Sequence, residues 1–148
     1  MSKAPPRLVS ALAYGGLLPF LALMAASLLD TARSGVWQQL SLNYGAVILS
    51  FVGALHWGFA MSTLAMSERL RLLSFAWSVM PALLAWLALL LDPIAGSALM
   101  ACGFAFHFVQ DWRLARQVAL PPWYVPMRLR LTVVAALCLL VTSYGGRV

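Results

Sequence analysis

Residues 40–65 read LSLNYGAVILSFVGALHWGFAMSTLA, a run of apolar and small side chains with no Asp, Glu, Lys or Arg. At about 1.5 Å per residue such a segment, as a helix, more than spans a hydrocarbon layer roughly 30 Å thick. Working outward, four further blocks have the same character: residues 8–29, 72–91, 94–110 and 129–144. None alternates apolar and polar residues as a barrel strand would, and lipid offers no partner to an open strand edge, so helix is the expected state. The expectation is therefore one all-α domain over residues 1–148, a polytopic integral membrane bundle of about five transmembrane helices.

Composition excludes other classes. Charged residues are 9% of the 148, against about 25% in a soluble domain, too few to clothe a water-exposed globule. The net charge of +6 does not imply nucleic acid, because the cations lie in membrane loops rather than along one groove. Membrane lipids are the expected partners, since basic loops attract anionic headgroups.

The same cations orient the chain. Lys3, Arg7, Arg69, Arg71, Arg113, Arg116, Arg128 and Arg130 fall on one side of a five-span arrangement, Arg33 and Arg147 on the other. The positive-inside rule then makes the N-terminus cytoplasmic and the C-terminus external. The first block is longer than a signal-peptide core, and no Arg- and Ser-rich transit segment precedes it. A bacterial inner (cytoplasmic) membrane is the expected location.

Inside the blocks, Pro19 and Pro81 should bend the first and third helices. Small residues at four-residue spacing, Ser50-Ala54-Gly58 and Ser97-Ala101-Ala105, offer faces for close helix approach. Cys102 and Cys138 read as small packing residues, with no CxxC and no zinc spacing. Trp37, Tyr44, Trp112, Trp123 and Tyr124 fit interfacial anchors. Residues 111–130 read as the longest connection, lying along the inner surface, with Trp123, Tyr124, Arg128 and Arg130 touching lipid or a partner.

Chemistry, if present, involves the two histidines. His56 and His107 lie in the inner halves of helices running the same way, and intramembrane ionisable groups are suspected of function by default. On its helix His107 shares a face with Gly103, Gln110 and Asp111, and an Asp one turn away can take the imidazole proton. Gly53, Trp57, Gly58, Gln110 and Asp111 complete a candidate polar intramembrane patch around the two histidines. In the bland reading each histidine bonds a carbonyl or hydroxyl of a neighbouring helix, and Asp111 pairs with Arg113, Arg69 or Arg71. The sharper reading makes His56 and His107 ligands of haem or contacts of a quinone or lipid headgroup. Two histidines and one carboxylate do not define a zinc site. No phosphate loop, HExxH or nucleophile elbow occurs, so no catalytic residue is assigned. An odd number of spans does not divide into equal inverted halves, so transport would call for a homo-oligomer.

Three stretches carry a family resemblance: residues 14–20 (YGGLLPF), 44–58 (YGAVILSFVGALHWG) and 123–132 (WYVPMRLRLT). They resemble the recurring motifs of the domain-of-unknown-function family 3429, the transmembrane protein 69 family. The resemblance implies a small multi-pass protein of bacterial inner membranes or mitochondria. It carries over no activity, cofactor or catalytic residue. The expectation is a non-enzymatic accessory, assembly or scaffold component, acting through a membrane partner or a second copy.

Overall fold

Among residues 4–144, which the computed structural model describes, every regular element is helical. Five stretches are long and apolar enough to cross a membrane: Arg7–Leu29, Thr31–Ser62, Glu68–Leu89, Pro93–Ala115 and Tyr124–Tyr144. The all-helical, five-span expectation holds. Lys3 and Arg147, two of the charges used for orientation, lie outside the described residues.

The first span is two helices, α1 (Arg7–Gly15) and α2 (Leu18–Leu29), rather than one bent helix. Pro19 stands in the first turn of α2, where a missing N–H costs least. The break leaves the Gly16 carbonyl free, and Tyr44 donates its hydroxyl to it at 2.8 Å. Tyr44 also sets its ring edge-on against Phe20, 4.9 Å between centroids, and so clamps the break from the next helix.

A short 3-10 turn, Thr31–Arg33, leads into α3 (Ser34–Ser62). In the following turn Arg71 Nη2 donates to the carbonyls of Thr63 and Met66. Ser67 caps α4 (Glu68–Leu89) by accepting the Leu70 N–H, and Pro81 is carried inside that helix without ending it. Asp92 caps α5 (Pro93–Ala115), accepting the N–H groups of Ile94 and Ala95, with Pro93 in the position that tolerates it. The last helix is α6 (Tyr124–Tyr144). The α5–α6 connection is therefore residues 116–123, much shorter than the 111–130 loop read from sequence. Pro126 does not exclude helix there, because it falls in the first turn of α6, where its N–H would have had no helical partner.

Lipid is as apolar as Leu, so bundle packing rests on close contact rather than on escape from water. The tightest approaches occur at glycines. A Cβ on Gly53 would lie 2.9 Å from the Pro81 ring and 3.1 Å from the Ser78 carbonyl oxygen, and one on Gly96 would lie 2.5 Å from the Ala88 oxygen. The four-residue rows behave differently from expectation: Ser97 and Ala101 are buried, whereas Ala54, Gly58 and Ala105 are exposed. Cys138 is buried and Cys102 faces outward.

Leu42, Leu49, Met100 and Leu139, each no more than 1% exposed, form the middle of the core. Polar layers close both ends. At one end Ser143 bonds Ser97, and Gln38 Nε2 donates to the Ser143 carbonyl. The other end holds the histidines.

Candidate functional site: a buried carboxylate hub

Four helices bring polar side chains to one point near the C-terminal ends of α3 and α5 and the start of α6. Asp111, on the last two turns of α5, and His107 of the same helix are fully buried, and His56 of α3 is 3% exposed. Asp111 Oδ1 accepts from His56 Nε2 at 3.0 Å and from the Tyr124 hydroxyl at 3.2 Å. Its other oxygen, Oδ2, accepts from Arg128 Nε at 2.6 Å. An unpaired carboxylate in a low-dielectric interior would be very costly, and this one has the Arg128 guanidinium and two further donors.

His107 is Asp111's helical neighbour, but the two are 3.7 Å apart and each has better partners. His107 Nε2 bonds the Val52 carbonyl of α3 at 3.0 Å, and Trp77 Nε1 of α4 donates to His107 Nδ1 at 3.1 Å. The indole and imidazole planes are also near-parallel, 4° apart. Because an indole nitrogen only donates, Nδ1 is the acceptor and the ring's proton is on Nε2. Both nitrogens of His107 are thereby committed.

That assignment decides what the cluster can hold. His56, His107 and Asp111 place one candidate ligand atom each within 4.8 Å of one another. A ligating histidine needs a lone pair toward the metal and normally donates its other N–H to an acceptor. His107 has the opposite arrangement, with a proton on the nitrogen facing Asp111 and a donor against the other. The cluster is a hydrogen-bonded network rather than a metal cradle. Haem fits no better. The two imidazoles are 5.1 Å apart and tilted by 59°, with the Asp111 carboxylate against His56 Nε2, so no flat macrocycle passes between them.

The remaining candidate residues separate. Gln110 lines a small polar cleft of about 160 Å³, together with His56, Ser74, Trp77, Arg113 and Gln117. Gly53 belongs to the α3–α4 contact with Pro81. Trp57 and Gly58 are on the outer face and are not part of the patch: Trp57 is 49% exposed, bonds Met61 Sδ and packs on Phe75, and nothing approaches Gly58. Trp123 is half-buried and Arg130 is exposed, as expected of residues at a surface. Tyr124 and Arg128 are not: they are 7% and 5% exposed and point inward to Asp111. Asp111 accordingly pairs with Arg128 rather than with Arg113, Arg69 or Arg71. The signal that locates Arg128 inside is the stripe Tyr124, Arg128, Thr132, polar groups at four-residue spacing on one face of α6.

Five apolar spans, four of them meeting at a buried Asp–Arg hub, define a polytopic helical membrane protein. The model of the family described as "Protein of unknown function (DUF3429)" matches residues 5–144, and the chain belongs to that family. It is 36% identical over 146 residues to Transmembrane protein 69 of Xenopus tropicalis, an alignment covering 93% of this chain and 54% of that protein. The chain thus spans about half the length of that relative. No solved structure matches it.

Proposed function

We propose that this chain is a non-enzymatic accessory, assembly or scaffold component of the bacterial inner (cytoplasmic) membrane, with its N-terminus in the cytoplasm. The observation that carries the reading is that Asp111 and His107, at the centre of the polar core, are fully bonded within the chain. Asp111 spends both oxygens on Arg128, His56 and Tyr124, and His107 spends both nitrogens on Trp77 and Val52. Such a hub fixes the relative register of α3, α4, α5 and α6 and offers no free nucleophile. The first span supports a role at the side of the bundle, since only 6% of its apolar window is buried against the rest of the chain, compared with 28–39% in the others. Its outward surface suits a transmembrane helix of a partner or of a second copy. The orientation is supported by Arg7, Arg69, Arg71, Arg113, Arg116 and Arg130 on one side, against Arg33 on the other.

Photo-crosslinking in the native membrane tests this. A probe at Leu8 on α1 or Leu18 on α2, both exposed, is expected to give one protein adduct of constant mass, while a probe at Leu83 on α4 gives lipid only. Lipid adducts alone at all three positions would contradict the reading.

A further inference from the structure

No residue of α1 is buried, so that helix stands off the bundle. A groove of about 540 Å³ runs between the first span and α3 and α6, with Phe104 of α5 at its floor. The volume lies within the range of small-molecule sites, about 300–1,000 Å³. Its accessible surface is almost wholly hydrocarbon, from Leu12 and Leu17 on the first span to Ile48 on α3 and Leu131 on α6. Such a wall accommodates an alkyl chain and has nothing to offer a polar ligand, which would have to shed its water without replacement bonds.

An accessible cation stands at the side of this groove. Trp123, Met127 and Arg130 follow one another along a face of α6 at four- and three-residue spacing, and the first two line the groove. Arg130 is exposed, and it lies six residues beyond Tyr124, the first residue of α6, about 9 Å into the span. It reaches across to the opposite wall, where its Nη1 is 3.5 Å from the Tyr14 hydroxyl of α1. That long hydrogen bond is all it makes among the described residues, and no carboxylate pairs with it there. Of the four in the chain, Asp111 is taken by Arg128, Asp30 pairs with Arg33, Asp92 caps α5 and Glu68 opens α4.

An ionised side chain inside a span almost always faces the bundle interior and pairs there. Arg128 does both, and Arg130 does neither. The anion that Arg130 can meet comes from the lipid side, and in a bilayer that anion is a phosphate. A zwitterionic headgroup carries its own cation beside the phosphate, whereas an anionic headgroup leaves its net charge to the arginine. We propose that the groove holds one anionic phospholipid, its phosphate accepting from the Arg130 guanidinium and the Tyr14 hydroxyl, with one acyl chain lying against Leu17, Ile48 and Leu131. Arg7, exposed and two turns before Tyr14 on the same face of α1, places a second cation toward the start of the span. The buried hub takes no part, because Arg128 is committed to Asp111. This site does not depend on the accessory role proposed above.

The test is native mass spectrometry of the full chain released from nanodiscs in which phosphatidylglycerol replaces phosphatidylcholine in steps. One phosphatidylglycerol per chain is expected to stay bound after phosphatidylcholine has been stripped. Arg130→Gln should weaken that binding about fivefold, and Arg130→Lys should keep the preference. Tyr14→Phe removes one hydroxyl and should weaken it about threefold. Both side chains are exposed, so melting of these variants in phosphatidylcholine should match the parent. Arg33→Gln, removing an exposed cation beyond the far end of the first span, should leave binding unchanged. Ala13→Phe, filling the groove from α1, should abolish it. Equal retention of the two lipids, or phosphatidylglycerol binding indifferent to Arg130→Gln or to Ala13→Phe, would overturn the proposal.

Discussion

Arg128 Nε lies 2.6 Å from Asp111 Oδ2, an ion pair across the α5–α6 connection in which the side chains are 6% and 0% exposed. The short connection of residues 116–123 brings the end of α5 and the beginning of α6 to the same membrane depth, where the pair forms. His56 and Tyr124 then close on the other carboxylate oxygen, so that one side chain joins α3, α5 and α6. Trp77 and His107 bring in α4.

His107 should be an Nε2–H tautomer, because the Trp77 indole can only donate to Nδ1. Nitrogen-15 NMR of the histidine rings checks this directly. Trp77→Phe would leave a buried Nδ1 unpaired and should cost about 1–3 kcal/mol in thermal unfolding. Trp57→Phe, on the exposed face, should stay within about 0.5 kcal/mol.

The α3–α4 contact should not accept a single added methyl. Gly53→Ala would place its Cβ against a rigid proline ring and a backbone oxygen, neither of which yields cheaply, and is expected to destabilise by about 1–3 kcal/mol. Gly58→Ala, on the same helix with nothing nearby, should be neutral or stabilising by up to about 1 kcal/mol. Melting temperatures of the two variants in one detergent make the comparison.

Tyr44→Phe keeps the ring on Phe20 and removes only the hydroxyl bonded to Gly16 O. Interhelical hydrogen bonds in membranes average about 0.6 kcal/mol, so the global loss should be small. Hydrogen exchange should nevertheless rise around residues 16–21, where the first span is broken, and not in α5.

How much of this was legible in the residues follows from what each signal reports. Length and hydropathy report on the solvent, and they located all five spans, because lipid constrains each helix separately. The residues of the hub come from separate helices, and one-dimensional spacing reaches only the neighbours on one face. Spacing therefore joined Asp111 to His107, which the fold leaves at 3.7 Å, and missed His56 as the carboxylate's partner. Arg128 was misread for a related reason. Near a proline-rich connection an arginine resembles a phosphate contact, and only the packing of α6 on α5 turns it inward. Trp57 and Gly58 were drawn into the patch by proximity in sequence to His56, although successive residues on a helix point in different directions.

The central claim is that the Asp111–Arg128 pair is a structural hub, and a double-mutant cycle tests it most directly. Asp111→Leu, Arg128→Met and the combined variant would be unfolded thermally under identical conditions. Breaking a buried pair strands a charge and costs about 3–5 kcal/mol, whereas replacing both partners with apolar groups costs far less. Each single variant is therefore expected to lose several kcal/mol and the double variant to recover most of it. Single losses that simply add in the double variant would contradict the account.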